Sequence, residues 1–230
     1  MLVTKGMRFP IDVILVCIRW YAAYPLSYRH LEEMMEERGV HVDHSSINRW
    51  AVRFLPLLEK VFRKLKRPLG GSWHIDETYI KVKGAWKYLY RAVDKEGKTI
   101  DFLLATKRDK AAALRFFDKT MKFGGVPEKI TMDKSGANKA AMDEINGRGE
   151  TPIIVRQVKC LNNILEQDHR AIKRITRPML NFKSFRAARN VLAGIELMHM
   201  IRKDQLVLEG GTELSFADQF YALAGKIRSV

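Results

Sequence analysis

Apolar residues in the first part of the chain recur at helical spacing. Ile11, Ile14, Leu15 and Ile18 fall at i, i+3, i+4 and i+7, one face of a helix, and Pro25 closes that segment. Ser27 is placed to cap a second helix with Leu31, Met34 and Met35 as its apolar stripe, and Gly39 suits its C-terminal stop. Asp43 is placed to cap a third helix whose inward face is Ile47, Trp50, Ala51 and Phe54. A fourth helical run, 55–66, leads out of this module. The stretch RKLKRPLGGS over 63–72 combines basic charge, a proline and a Gly-Gly pair, and so predicts a linker.

Beyond the linker the period changes. Over 73–83, His74, Asp76, Thr78 and Ile80 alternate with Ile75, Glu77 and Tyr79, which predicts a strand. Gly84 turns the chain into a second strand over 86–94, and Lys95-Glu96-Gly97-Lys98 turns it into a third over 99–106. An antiparallel meander is the simplest arrangement of the three. Asp109 then caps a helix to about Met121, 128–132 is a short strand ending at Asp133, and 137–145 is a short helix. A fifth strand follows over 153–158, then helices over 162–174 and 185–205, and a tail with a Gly210-Gly211 break and a short helix. The order is a helical module followed by βββαβαβαα, an α+β to α/β pattern. The expected organisation is a helical module over 1–65, a linker over 66–72, a second domain over 73–205 and a tail over 206–230.

Charge adds a partner to this picture. The 230 residues carry 41 Lys plus Arg against 26 Asp plus Glu, a net charge of +15, while 47% hydrophobic residues suffice for a core. Such an excess favours a polyanion, with nucleic acid ahead of an anionic membrane surface. The two cysteines, Cys17 and Cys160, form neither a disulfide framework nor a zinc pattern with the histidines. No apolar run approaches the roughly 18 residues of a membrane span, and the N-terminus lacks the features of a signal peptide. A cytoplasmic, nucleoid-associated protein with no membrane and no small-molecule substrate is expected.

The strand–helix order matches an RNase H-like fold, a five-stranded mixed sheet flanked by helices. In that fold one carboxylate sits midway along the first strand, a second follows the fourth strand, and a third comes from a later helix. Those places hold Asp76, Asp133 and Glu166, with Glu77 and Asp168 as rivals on pattern alone. Carboxylates suit phosphodiester chemistry because magnesium prefers hard oxygen ligands. Two ions about 3.5–4 Å apart activate the entering oxygen and stabilise the leaving one. Clustered carboxylates repel without a cation between them. In this scheme Asp76 bridges two Mg²⁺ ions and Asp133 and Glu166 each bind one, with Mn²⁺ able to substitute.

The segments WHIDETYIKVKGAWKYLYRAVDKEG, ITMDKSGAN and QVKCLNNILEQDHRAIKRITRPM resemble bacterial insertion-sequence transposases of the insertion-sequence-six (IS-six) family, DDE enzymes with an RNase H-like catalytic domain. RWYAAYPLSYRHLEEMMEERGVHVDHSSINRW is similar to the same family, and the resemblance spans roughly 5–205. It implies that Asp76, Asp133 and Glu166 are the catalytic, metal-binding acids. It adds Lys173, seven positions after Glu166 on the same helix, as a contact to a phosphate near the cut. It also implies metal-dependent release of a 3′-OH at the element's end, strand transfer of that 3′-OH into target DNA, and no covalent enzyme intermediate.

Within the helical module, 28–38 and 44–54 form a helix-turn-helix candidate. The third helix would offer Ser45, Ser46, Asn48, Arg49 and Arg53 to DNA, the terminal inverted repeats being the expected target. A plain bundle with a wet polar face is the other reading. A second basic stretch carries Arg156, Lys159, Arg170, Lys173, Arg174, Arg177, Lys183, Arg186 and Arg189, and Arg170, Lys173, Arg174 and Arg177 are candidate DNA contacts. Trp73 and Trp86 fit a core better than a base stack. His169 is open between DNA contact and packing, and Glu196 between pairing with a cation and approaching the site. Synapsis of two double-stranded element ends suggests a homodimer. A structure-selective RNase H-like nuclease and a catalytically inert DNA-binding repressor are the competing functions.

Overall fold

The computed structural model describes residues 8–149, 152–158, 163–208 and 214–228. The chain forms two compact units, one from 1–67 with 172–230 and the other from 68–171. Cys160, Lys159 and Gly210-Gly211 lie outside the described residues.

The first unit is helical. α1 (Ile11–Ala23) buries Ile14, Leu15, Ile18 and Tyr21. α2 (Tyr28–Glu36) starts at Ser27, whose Oγ accepts from the His30 amide while the His30 ring accepts from the Ser27 amide. α3 (His44–Lys64) is capped by Asp43, whose carboxylate accepts from the Ser45 and Ser46 amides, and it buries Ile47, Trp50, Ala51 and Phe54 as expected.

The third and fourth helical runs are one helix. α3 continues through Pro56 for 21 residues. A proline inside a helix removes an amide donor and leaves the carbonyl four residues earlier unpaired. That carbonyl belongs to Val52, and the Asn190 side-chain amide donates to it at 2.9 Å. Asn190 stands on α7 (Phe185–Arg202), a helix buried along most of its length. The two helices approach closely: a Cβ placed on Gly194 would lie 2.5 Å from Leu55 Cδ1. So α7, expected within the 73–205 segment, packs with the N-terminal helices. α8 (Phe216–Arg228) belongs to the same unit and buries Phe220 and Leu223.

The second unit holds a five-stranded sheet in the order β3-β2-β1-β4-β5. β1 (Ser72–Val82), β2 (Ala85–Asp94) and β3 (Thr99–Ala105) form an antiparallel meander, and β4 (Lys129–Met132) and β5 (Ile154–Gln157) extend it in parallel from β1. This is the RNase H-like mixed sheet. One face, carrying Trp73, Ile75, Tyr90, Ala92 and Ile130, packs on Phe116 and Phe117 of α4 (Lys110–Gly124) and on Ala141 and Met142 of α5 (Gly136–Arg148). The other face carries Asp76 and, opposite it on β2, Arg91, whose guanidinium reaches α6 (Asn163–Thr176). A one-turn 3₁₀ helix, Arg177–Met179, follows α6.

The Asn190–Val52 bond yields a coupled prediction. Asn190→Ala leaves a largely buried carbonyl unpaired and costs about 1–3 kcal/mol of stability. Pro56→Ala restores the helical donor, so Asn190→Ala costs much less in that background. Urea melts of the four proteins measure the coupling, and equal costs in both backgrounds would refute it.

Candidate active site

Strand pleating decides which acids meet. Asp76 and Glu77 are neighbours on β1 and so point to opposite faces. β4 runs parallel beside β1 with Met132 opposite Ile75, so Asp133 emerges from β4 level with Asp76. Asp76, Glu77 and Asp133 each bring a carboxylate oxygen within 4.8 Å of the others. Pattern left Glu77 as a rival to Asp76, and the fold brings both to the cluster.

One arginine, not singled out from the sequence, stands among these acids. Arg108 Nη2 donates to Asp133 Oδ2 at 2.8 Å and to Glu77 Oε2 at 3.3 Å, and Arg108 Nε donates to Glu77 Oε1 at 3.4 Å. Asn138 on α5 also donates to Glu77 Oε1, at 3.0 Å. The Glu77 side chain is only 3% exposed, against 37% for Asp133 and 22% for Asp76. Glu77 is thus a buried carboxylate with donors already committed to it, while Asp76 and Asp133 open towards solvent. Asn138 lies in the SGAN segment after Asp133, but Arg108 precedes α4 with no periodic signal to mark it.

Burial pushes the Asp76 carboxyl up from 3.8 to about 6; the nearby negative charges of Glu77 and Asp133 add to this, and the Glu77 amide and Arg108 oppose it. Burial likewise raises the Glu77 carboxyl, opposed chiefly by Arg108 and by the Asn138 hydrogen bond. Two raised carboxyls beside a third are the electrostatic mark of a site built to receive positive charge.

Glu166 lies outside that cluster. Its side chain is 60% exposed and stands 4.0 Å from Arg170 on the same helix. It occupies the first turn of α6. Asp168 and His169, on the next turn, fix this helix to the sheet. Asp168 forms an ion pair with fully buried Arg91 at 3.0 Å, and His169 Nδ1 lies 3.8 Å from Asp76 Oδ2. Residues three apart share a helix face, so Glu166 is one turn from the histidine beside Asp76. Asp168, the other rival, is occupied by Arg91. The signal for Arg91 was a lone charge in the apolar run of β2.

A family model for the DDE domain, DDE_Tnp_IS240, matches residues 70–205. The transposase for insertion sequence-like element IS431mec of Staphylococcus aureus is 41% identical over 198 residues, covering 85% of this chain and 87% of that protein. The transposase for insertion sequence element IS257 in transposon Tn4003, also of Staphylococcus aureus, is 41% identical over the same length. The chain belongs to the IS-six family of DDE transposases. It is an insertion-sequence transposase, a DNA-cleaving and strand-transferring enzyme. The integrase catalytic core domain of HTLV-2 in complex with magnesium aligns with 57% of the chain and 88% of its own length, at 15% identity and a TM-score of 0.42.

The remaining expected residues of the transposase lie on helices. Arg170, Lys173, Arg174 and Arg177 are exposed on α6 and the turn that follows it. On α3, Ser45, Arg49 and Arg53 are exposed and Asn48 is half-buried. Ser46 is not presented. It is 8% exposed, and its hydroxyl donates to Asp43 Oδ2 and accepts from Arg49 Nη2. The cap of α3 takes the hydroxyl that the polar pattern assigned to DNA. The segment between α2 and α3 spans 37–43 with Gly39 at φ +72°, longer than the three- or four-residue turn of the motif. Trp73 is buried and its indole N–H donates to the Gly70 carbonyl, whereas Trp86 is 60% exposed. His169 is buried against Asp76. No helix among the described residues is long and apolar enough to cross a membrane.

The raised Asp76 carboxyl makes stability depend on pH. Between about pH 4 and 6 the unfolded carboxyl ionises while the folded one keeps its proton, so metal-free folding weakens as pH rises through that window and recovers on acidification. Asp76→Asn removes this loss. Its melting point in EDTA at neutral pH should exceed the parent's, by on the order of 2 kcal/mol in stability, and the two proteins should converge near pH 4. Superimposable pH profiles would contradict the assignment.

Proposed function

We propose that this transposase binds the terminal inverted repeats of its element, frees a 3′-OH at each end and joins it to target DNA, with Asp76, Asp133 and Glu166 as its catalytic acids. The observation that carries the reading is the meeting of Asp76 and Asp133, from distant parts of a chain in the DDE family, at the two adjacent interior strands β1 and β4. Family membership and the helix face shared with His169 support Glu166 as the third acid.

The donor set fits a divalent cation. The carboxylate oxygens of Asp76 and Asp133, within 4.8 Å of each other, offer the hard ligands that magnesium takes, and the raised Asp76 carboxyl is what a cation would relieve. Asp76, Asp133 and Glu166 would hold Mg²⁺, as two ions with Mn²⁺ able to substitute. When bound, the metal supplies Lewis acidity at the scissile phosphate oxygens.

The chain's own residues set up the rest. Arg108 balances Glu77 and Asp133, which keeps like charges together in the folded protein. Arg91 and Asp168 anchor α6, so Glu166 starts from a fixed helix. In the first step water attacks phosphorus and the bond to O3′ breaks. In the second the freed 3′-OH attacks a target phosphodiester, a new P–O bond forms and the target's own O3′ leaves. Both are in-line substitutions, so one carboxylate site serves both and no serine or tyrosine nucleophile is needed. Lys173 contacts a phosphate beside the cut in this reading, which its exposure two turns after Glu166 supports. Pairing of two ends is best met by a homodimer acting at the nucleoid.

Labelled element ends, target plasmid and Mg²⁺ test the reading. The parent should yield joined products and Asp133→Ala should yield none; cleavage without joining by the parent would reduce it to a nuclease. A second comparison separates the rival acids. Glu166→Gln should lower joining at least 100-fold with an unchanged melting point, while Glu77→Gln should shift the melting point and keep most of the joining. The reverse pattern would move the third acid to Glu77.

A further inference from the structure

The helical unit contains a groove of about 720 Å³ between the middle of α3 and the start of α7. Arg49 and Arg53 line it from α3, and Lys183 and Arg186 from the other end of the sequence. All four are exposed, and no aspartate or glutamate is among the described residues that line the groove. Four exposed cations converge on this one groove, a local concentration of positive charge that favours a polyanion.

The backbone adds to the same field. α7 begins at Ser184, whose Oγ accepts from the Ala187 amide, and its first turn holds no acidic residue. The amides of Phe185 and Arg186 precede any intrahelical acceptor, and the positive end of an 18-residue helix dipole lies at this point. The walls are held at fixed spacing by the Asn190–Val52 hydrogen bond and by the close approach of Gly194 to Leu55. The site is therefore preorganised, and its cations gain a partner without rearranging the helices.

We infer that this groove grips consecutive backbone phosphates of duplex DNA, and that Arg49 and Arg53 act there as phosphate contacts rather than as readers of base edges. The inference rests on the reading that the transposase binds double-stranded DNA, and assigns to the start of α7 a part in it. A volume well above that of one phosphate suits a length of sugar–phosphate strand. Contacts of this kind fix register on the duplex and carry no sequence information.

Fluorescence anisotropy in EDTA, where no chemistry occurs, tests it. A labelled element-end duplex and an unrelated duplex are each titrated with full-length protein over a series of KCl concentrations. The parent is compared with Lys183→Gln/Arg186→Gln and with Arg49→Gln/Arg53→Gln, each checked for an unchanged thermal melt. Each double variant should reduce the slope of log affinity against log salt by about 2 and weaken both duplexes by the same factor. Unchanged slopes, or losses confined to the element-end duplex, would overturn the groove while leaving the transposase reading intact. Absence of any salt-dependent complex with the parent would overturn both.

Discussion

Adjacent carboxylates in the middle of a buried strand set the terms for the whole sheet unit. Asp76 and Glu77 stand at the centre of β1, and Asp133 is delivered beside them by β4. Such a group stays folded only if something nearby is positive. Arg108 meets that need on the side of Glu77 and Asp133, and Asn138 adds a neutral donor to Glu77. Asp76 receives less relief and stays the most solvent-facing of the two on β1, with a carboxyl lifted to about 6. The pair thus divides roles: one acid is neutralised by the protein, the other is left for something from outside.

The sheet face that Asp76 shares with Arg91 solves a related problem. Arg91 is fully buried between β1 and β3, where an uncompensated charge would cost several kcal/mol. Asp168 supplies the compensation and in doing so ties α6 to the sheet. A charge pair in this setting adds little net stability, but it permits one docking of the helix and penalises slippage. The turn that precedes it bears Glu166, so the placement of that carboxylate derives from an ion pair on the neighbouring turn.

Much of this was legible in the residues themselves. Alternation along β1 set Asp76 and Glu77 on opposite faces without choosing between them, the strand ending at Asp133 was bounded by its polar successor, and Ser27, Asp43 and Asp109 announced helix starts that their hydrogen bonds bear out. What escaped was non-local. The division of α3 into two helical runs at 54 and 55 missed a continuous helix because the donor that replaces the amide absent from Pro56 lies far along the chain, at Asn190. Ser46 reads as a free hydroxyl because its capture by Asp43 depends on cap geometry. Arg108 carries no pattern at all, since its role arises only when two strands and a loop close together. The partner of α7 was hidden for the same reason: its apolar periodicity shows that it is buried, but not that α3 is what covers it.

The partnership of α3 with α7 has a consequence for how the molecule comes into being. The first unit is discontinuous, and the whole sheet unit is threaded between its halves. During synthesis β1 to β5 leave the ribosome before α7 does, so the sheet can complete its hydrogen bonding while α3 still exposes Leu55, Leu58 and the carbonyl of Val52. The contacts that α7 makes with the N-terminal helices therefore form only after the sheet unit has been synthesised. The groove between α3 and α7 cannot close until every strand of the sheet has been made, because its two walls lie on opposite sides of the sheet unit in the sequence.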